Sequence, residues 1–144
     1  MSGVTWTGGV EHWTHKTSPE GDIKLFLWEK KASPKVPHAG TIFFVHGSSM
    51  ASQPTFDLHV TGRPFSSAMD WFADHGFDTW TMDNEGYGRS DKHRNINFVI
   101  SNGADDLAAG STYILGVWAA EASTVKNQCF WGYLTPWPPR DNAA

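Results

Sequence analysis

Two short apolar runs, each ending in a turn that holds glycine, constrain this chain more than any other feature. The first is Thr41-Ile42-Phe43-Phe44-Val45, followed by His46-Gly47-Ser48-Ser49. Its residues are all apolar, β-branched or aromatic, the pattern of a strand covered on both faces. The second is Thr79-Trp80-Thr81-Met82, followed by Asp83-Asn84-Glu85-Gly86-Tyr87-Gly88-Arg89-Ser90-Asp91. Between them, Phe65, Ala68, Met69, Phe72 and Ala73 recur at helical spacing and Gly76 supplies a stop. That spacing predicts a helix over 65–75. A strand, a helix and a second strand over 77–82 make one α/β step.

Before this step, 12–17 and 23–31 flank Ser18-Pro19-Glu20-Gly21-Asp22, which reads as a β-hairpin. Within the second arm Ile23, Leu25, Leu27 and Glu29 share one face, and Lys24, Phe26 and Trp28 the other. The imperfect alternation predicts a strand partly covered on both faces. Residues 32–40, with Pro34 and Pro37, read as a loop, and so do 47–62 and 84–102. A further helix is expected over 104–117, capped by Ser101 or Asn102. Asp105 and Asp106 would sit in its first turn, and Leu107, Ala108, Tyr113, Ile114 and Val117 on its inner face. From Trp118 onward neither period is sustained. Trp118, Trp131, Trp137, Pro136, Pro138 and Pro139 crowd this tail, and only Gln128–Leu134 has the composition of a short strand. The chain therefore divides into a domain over 1–117 and an atypical Trp/Pro-rich tail over 118–144.

The 144 residues suit one domain, and a net charge of −4 with scattered basic residues argues against a nucleic-acid partner. A single cysteine, Cys129, excludes an internal disulfide and a cysteine-based zinc site. The start, Met-Ser-Gly-Val-Thr-Trp, lacks the features of a signal peptide, and no apolar run is long enough to cross a membrane. A cytoplasmic protein without a membrane partner is the expectation.

Where chemistry is concerned, Gly47 would let the backbone turn away from the strand end and leave the Ser48 N–H free to point at a ligand. Backbone N–H groups so placed stabilise a developing oxyanion in acyl transfer. Asp83 reads as a turn-shaping acceptor of backbone N–H bonds rather than a nucleophile, with Gly86, Gly88 and Ser90 completing the turn. Glu85 beside it makes no glycosidase pair. The seven histidines follow no metal-ligand spacing, and Met50, Met69 and Met82 read as filler, so no metal is expected.

The two motifs together, His-Gly after one strand and Asp-x-x-Gly-x-Gly-x-Ser after the next, resemble those of the α/β-hydrolase family over about residues 12–117. The resemblance implies an α/β fold with an incomplete hydrolase sheet. It would hold the N-terminal hairpin, parallel strands three and four, helices A and B, and at most one extra tail strand. It also implies that the third strand lies between the fourth and the fifth. His46, Gly47, Ser48 and Ser49 would be a vestigial oxyanion loop, and Asp83, Gly86, Gly88 and Ser90 a structural turn. The family next places its serine in Gly-x-Ser-x-Gly. This sequence has Gly132-Tyr133-Leu134-Thr135-Pro136, with leucine at the nucleophile position. Neither Thr135 nor Cys129 has a companion base placed by any motif. No catalytic residue is therefore assigned.

One reading is a truncated hydrolase, ancestrally acting on an ester or similar carbonyl and inactive as it stands, its reading frame lost near 115–120. The family needs no metal or organic cofactor, and a small ester-like ligand would be its natural partner. The other reading is a short non-catalytic binding protein on a partial hydrolase fold. In either case the run Thr41–Val45 becomes a sheet edge unless the tail covers it, so self-association is expected.

Overall fold

The computed structural model describes residues 8–94 and 99–121. Its elements are β1 (Val10–Ser18), β2 (Gly21–Lys30), β3 (Gly40–Val45), α1 (Ser52–Phe56), α2 (Ala68–Asp74), β4 (Phe77–Met82) and α3 (Ile100–Glu121). The four strands form one sheet in the order β1-β2-β4-β3. β2 pairs antiparallel with β1 and β4, while β3 and β4 run parallel. β3 thus stands at the edge of the described sheet, on the side where the family resemblance implies a further strand.

The hairpin forms where Pro19-Glu20 separates the paired residues Ser18 and Gly21. Ser18 Oγ donates to Gly21 O (2.6 Å) and accepts from Glu20 N (3.2 Å), and Gly21 takes φ 120°. The alternation in β2 sorts its side chains between two cores. Ile23, Leu25 and Leu27 join Phe43, Val45, Trp80, Met82 and Ile114 under α3. On the opposite face Phe26 and Trp28 pack with Ile42, Phe44, Phe56 and Met69 under α1 and α2. Coverage of both faces from Leu25 onward in β2 and throughout β3 explains the apolar residues on both sides of these strands.

Helix boundaries depart from the periodic expectation in three places. α2 starts at Ala68, not Phe65, because Ser67 caps it by accepting from Asp70 N (3.1 Å). Phe65, although in phase, stands outside at φ 65° and is 73% exposed. α1 lies inside the segment read as a loop; five residues are too few to display a 3.6-residue period. α3 begins at Ile100 and runs to Glu121, a length of about 33 Å.

Ser101 and Asn102 are therefore inside α3, not at its cap, and Asp105 and Asp106 lie beyond its first turn. The helix also passes through the 117/118 boundary without a break. Ala108 faces out; Ala109 and Gly110 turn inward instead. A Cβ on Gly110 would lie 2.7 Å from Met82 Sδ, so its absence lets α3 settle close on the sheet. The Trp/Pro-rich tail beyond 121, with Gln128–Leu134, lies outside the described residues.

Candidate functional site

β3 and β4 are parallel and end side by side, Val45 paired with Met82. The segments that follow, His46–Ser49 and Asp83–Ser90, therefore leave the same edge of the sheet together. In open α/β sheets the carboxyl ends of parallel strands are where ligands bind, because the loops there diverge.

His46 joins the two segments. Its ring is buried; Nδ1–H donates to Gly47 O (2.7 Å) and Nε2 accepts from Asn84 N (3.0 Å). A carbonyl can only accept and an N–H only donate, so these partners select the Nδ1–H tautomer. The ring is occupied at both nitrogens and serves as a brace rather than as a base. It meets the Tyr87 ring at an interplanar angle of 63°, ring centroids 5.2 Å apart.

Asp83 is also committed to structure. It is buried; Oδ1 accepts from Ser52 N (2.7 Å) and Oδ2 from Arg89 N (2.8 Å). One carboxylate thereby ties α1 to the glycine turn. Gly86 and Gly88 take φ 87° and 47°. A Cβ on Gly88 would come within 2.1 Å of Asp83 Oδ2, so no side chain fits there. Ser90 Oγ donates to Asp83 O (2.5 Å) and accepts from Phe26 N (2.9 Å), anchoring the turn to β2.

The segment His46–Ser49 differs from expectation at one residue. Gly47 does not use the positive φ open to glycine; Ser49 holds the left-handed position instead, at φ 65°. The His46–Asn84 bond joins the two loops here, a contact that sequence spacing does not reveal. Ser48 and Ser49 are exposed, and Ser48 lies beyond the last paired residue of β3, so its N–H is outside the sheet ladder. Ser48 Oγ is 3.4 Å from the Tyr87 hydroxyl.

Behind the glycine turn lies a charge network around two buried carboxylates. Glu85 takes a two-pronged bond from Arg94, Nε to Oε1 at 2.6 Å and Nη2 to Oε2 at 2.7 Å, and lies 2.9 Å from Lys16 Nζ. The Arg94 guanidinium, with help from Lys16, holds the Glu85 carboxyl at about 2, against the opposing effect of burial. Asp106, fully buried on α3, lies 2.5 Å from Lys16 Nζ and accepts from Glu85 N at 2.8 Å. Burial pushes the Asp106 carboxyl up, and the Lys16 ammonium partly offsets this. Burial alone would lower the Lys16 ammonium, but Asp106 and Glu85 outweigh it and raise it. Two cations and two carboxylates thus bind β1, the turn, α3 and the loop at Arg94. Glu85 is spent in this network, and among the described residues it faces no second carboxylate across a cleft.

One further cluster has metal-like spacing. Ligand atoms of Asp57, His59 and Asp70 lie within 4.8 Å of one another. The Lys30 ammonium stands among them, 2.6 Å from Asp57 Oδ1, 3.2 Å from His59 Nε2 and bonded to Asp70. Asp57 also accepts from Trp28 Nε1 (2.8 Å) and Ser67 Oγ (2.6 Å). A lysine side chain already supplies positive charge to this cluster, whose bonds join β2, α2 and the loop after α1.

Cys129, Gly132, Leu134, Thr135 and Pro136 lie outside the described residues. Of the methionines, Met69 and Met82 are core residues and Met50 is exposed. Among the described residues, no helix is long and apolar enough to cross a membrane.

No protein-family model matches the chain, and neither does any curated protein. Solved structures do. A probable hydrolytic enzyme from Pseudomonas aeruginosa PAO1 matches with a TM-score of 0.55 at 21% identity, covering 91% of this chain and 35% of its own. The α/β hydrolase GrgF from Penicillium sp. sh18 matches with a TM-score of 0.51 at 19% identity, covering 85% and 37%. An esterase from Exiguobacterium antarcticum matches with a TM-score of 0.50 at 15% identity, covering 72% and 32%. The fold is that of the α/β hydrolases, represented by part of their sheet. The chain spans about a third of the length of these structures.

Proposed function

We propose that these residues carry the oxyanion half of an ester hydrolase, and that the 144 residues by themselves do not turn over substrate. The observation that carries the reading is the brace at His46, which holds the Ser48 turn against the glycine turn at the carboxyl ends of two parallel strands. In such a site His46, Gly47, Ser48 and Ser49 would face the carbonyl oxygen of an ester-like ligand. Asp83, Gly86, Gly88 and Ser90 would hold the opposing turn in shape. Triad chemistry needs a nucleophile, a base and an orienting acid. The candidate elbow has Leu134 where the serine belongs, and Gly-x-Ser-x-Gly occurs nowhere in the sequence. His46 and Asp83 have their polar atoms bound within the fold. The expected result is no p-nitrophenyl acetate hydrolysis above the buffer rate. Enzyme-like turnover that a fluorophosphonate abolishes would overturn the reading.

The second reading, a non-catalytic binding protein, draws support from β3. Its outer edge has no neighbour among the described strands, while its side chains are buried on both faces. An apolar edge with unpaired backbone groups is a template for pairing with another chain. Self-association through this edge is the expected behaviour, read as concentration-dependent size by light scattering. A monomer at all concentrations would remove this expectation, and Lys substitutions on β3 that leave the size distribution unchanged would show that another surface is responsible.

A further inference from the structure

We propose that Asp106 is a proton-operated latch. Charged, it holds Lys16 of β1 against α3; protonated, it releases Lys16 to Glu85 and keeps its own bond to the glycine turn.

The two carboxylate oxygens of Asp106 are used differently. The residue is fully buried. Oδ2 accepts from Glu85 N at 2.8 Å. Oδ1 lies 2.5 Å from Lys16 Nζ, yet among the described residues it takes no directed hydrogen bond. Buried polar atoms are nearly always hydrogen-bonded, so such an oxygen calls for an explanation. The contact with Lys16 is one of charge and proximity rather than of direction, and Oδ1 keeps a lone pair open to a proton.

Neither neighbour can accept a proton in return. An ammonium has three donors and no acceptor, and a backbone N–H only donates. A proton on Oδ1 therefore meets the Lys16 N–H groups donor to donor, and the attraction between the two groups ends with the charge on Asp106. Oδ2 of the neutral acid is still a carbonyl oxygen and still accepts from Glu85 N. Lys16 has a second partner within reach, Glu85 Oε2 at 2.9 Å. The proton comes from solvent, O–H is the only bond formed, and the ammonium keeps its charge. β1 is an outer strand of the described sheet, so the latch sets how firmly that strand is tied to α3.

The surroundings decide which carboxylate takes the proton. Glu85 shares two cations, Lys16 and the two-pronged Arg94, and is held at about 2. Asp106 has one cation at contact distance among the described residues, and burial holds its carboxyl above the usual range. β2 presents Ile23, Leu25 and Leu27 to this core, none of them charged. His12 and Glu29 meet α3 about two turns further on, at Tyr113. Asp105, the neighbour on α3, is exposed. As acid is added, Asp106 gains a proton before Glu85 does.

The test follows Asp106 Cγ, Lys16 Cε and the Glu85 amide by NMR in the full chain, from about pH 7 to about pH 3. Asp106 Cγ should titrate above the ordinary aspartate value of 3.8, and Lys16 Cε should move with the same midpoint. The Glu85 amide should stay protected from exchange with water throughout. Asp106→Asn keeps an acceptor for Glu85 N and puts a neutral group before Lys16. In that variant Lys16 Cε should sit at neutral pH where the wild type arrives in acid, and its shift with pH should be lost. A Lys16 Cε that stays still while Asp106 Cγ titrates, or that moves with another midpoint, overturns the proposal. So does a Lys16 shift that persists in Asp106→Asn, loss of Glu85 amide protection at the Asp106 midpoint, or unfolding before Asp106 Cγ has titrated. If Asp106→Asn does not fold, the wild-type titration decides on its own.

Discussion

Asp106→Ala is expected to destabilise the chain by about 3–5 kcal/mol, the range for breaking a buried ion pair by removing one partner. Asp106 is fully buried and holds two groups from other elements, Lys16 Nζ of β1 at 2.5 Å and Glu85 N of the glycine turn at 2.8 Å. Alanine leaves the Glu85 N–H without its acceptor and Lys16 with one carboxylate instead of two. Asp106→Asn retains an acceptor for the N–H and should cost less. Urea unfolding of the three proteins measures the difference, and a loss below 1 kcal/mol in the alanine variant would mean that the network adds little.

The same network gives the fold an acid limit. Glu85 is held at about 2, well below its ordinary 4.5. A depressed carboxyl adds stability that is present above the unfolded value and is lost as pH falls from about 4.5 toward 2. For Glu85 alone this amounts to about 3 kcal/mol. Asp106 is raised, so its contribution has the opposite sign: it favours the fold at low pH and weakens as pH rises through its folded value. The net acid loss is therefore smaller than Glu85 alone would produce.

Gly76→Ala is expected to cost about 3 kcal/mol, combining backbone strain with a steric clash. Gly76 follows α2, is buried, and takes φ 94°, outside the range comfortable for alanine. A Cβ there would lie 2.3 Å from Pro37 O, a backbone atom that cannot swing aside. Its own carbonyl accepts from Ala39 N at 2.7 Å, so moving the glycine also disturbs the approach to β3. The contrasting variant is Gly116→Ala in α3, where no atom of the described residues lies within 4 Å of the added carbon. That change should stabilise by about 0.5–1 kcal/mol through helix propensity. Thermal melts of both variants check the pair of opposite signs; two shifts in the same direction would refute the argument from glycine geometry.

Much of the fold is legible because its signals are local. The alternation of Ile23, Leu25 and Leu27 against Phe26 and Trp28 matches the two cores on either side of the sheet. The strand at 77–82 and the stop at Gly76 follow from short-range chemistry that needs no knowledge of neighbours. Helix ends were less legible. Phe65 fits the period of α2, yet the Ser67 cap excludes it. α3 extends four residues past each end of the expected 104–117 span, since Ile100, Ser101, Ala119 and Ala120 are exposed and carry no pattern.

The site divides along the same line. Residue order alone places His46–Ser49 and Asp83–Ser90 at two strand ends, because apolar runs and glycine turns are properties of neighbours in the chain. Packing decided what each residue does there. It gave the left-handed position to Ser49 rather than Gly47, occupied both nitrogens of His46, and brought Tyr87 within 3.4 Å of Ser48. It also gathered Lys16, Glu85, Arg94 and Asp106 into one network. Such contacts join residues far apart in the chain, and no local period or propensity encodes them; they exist only once the sheet and α3 have closed around the same core.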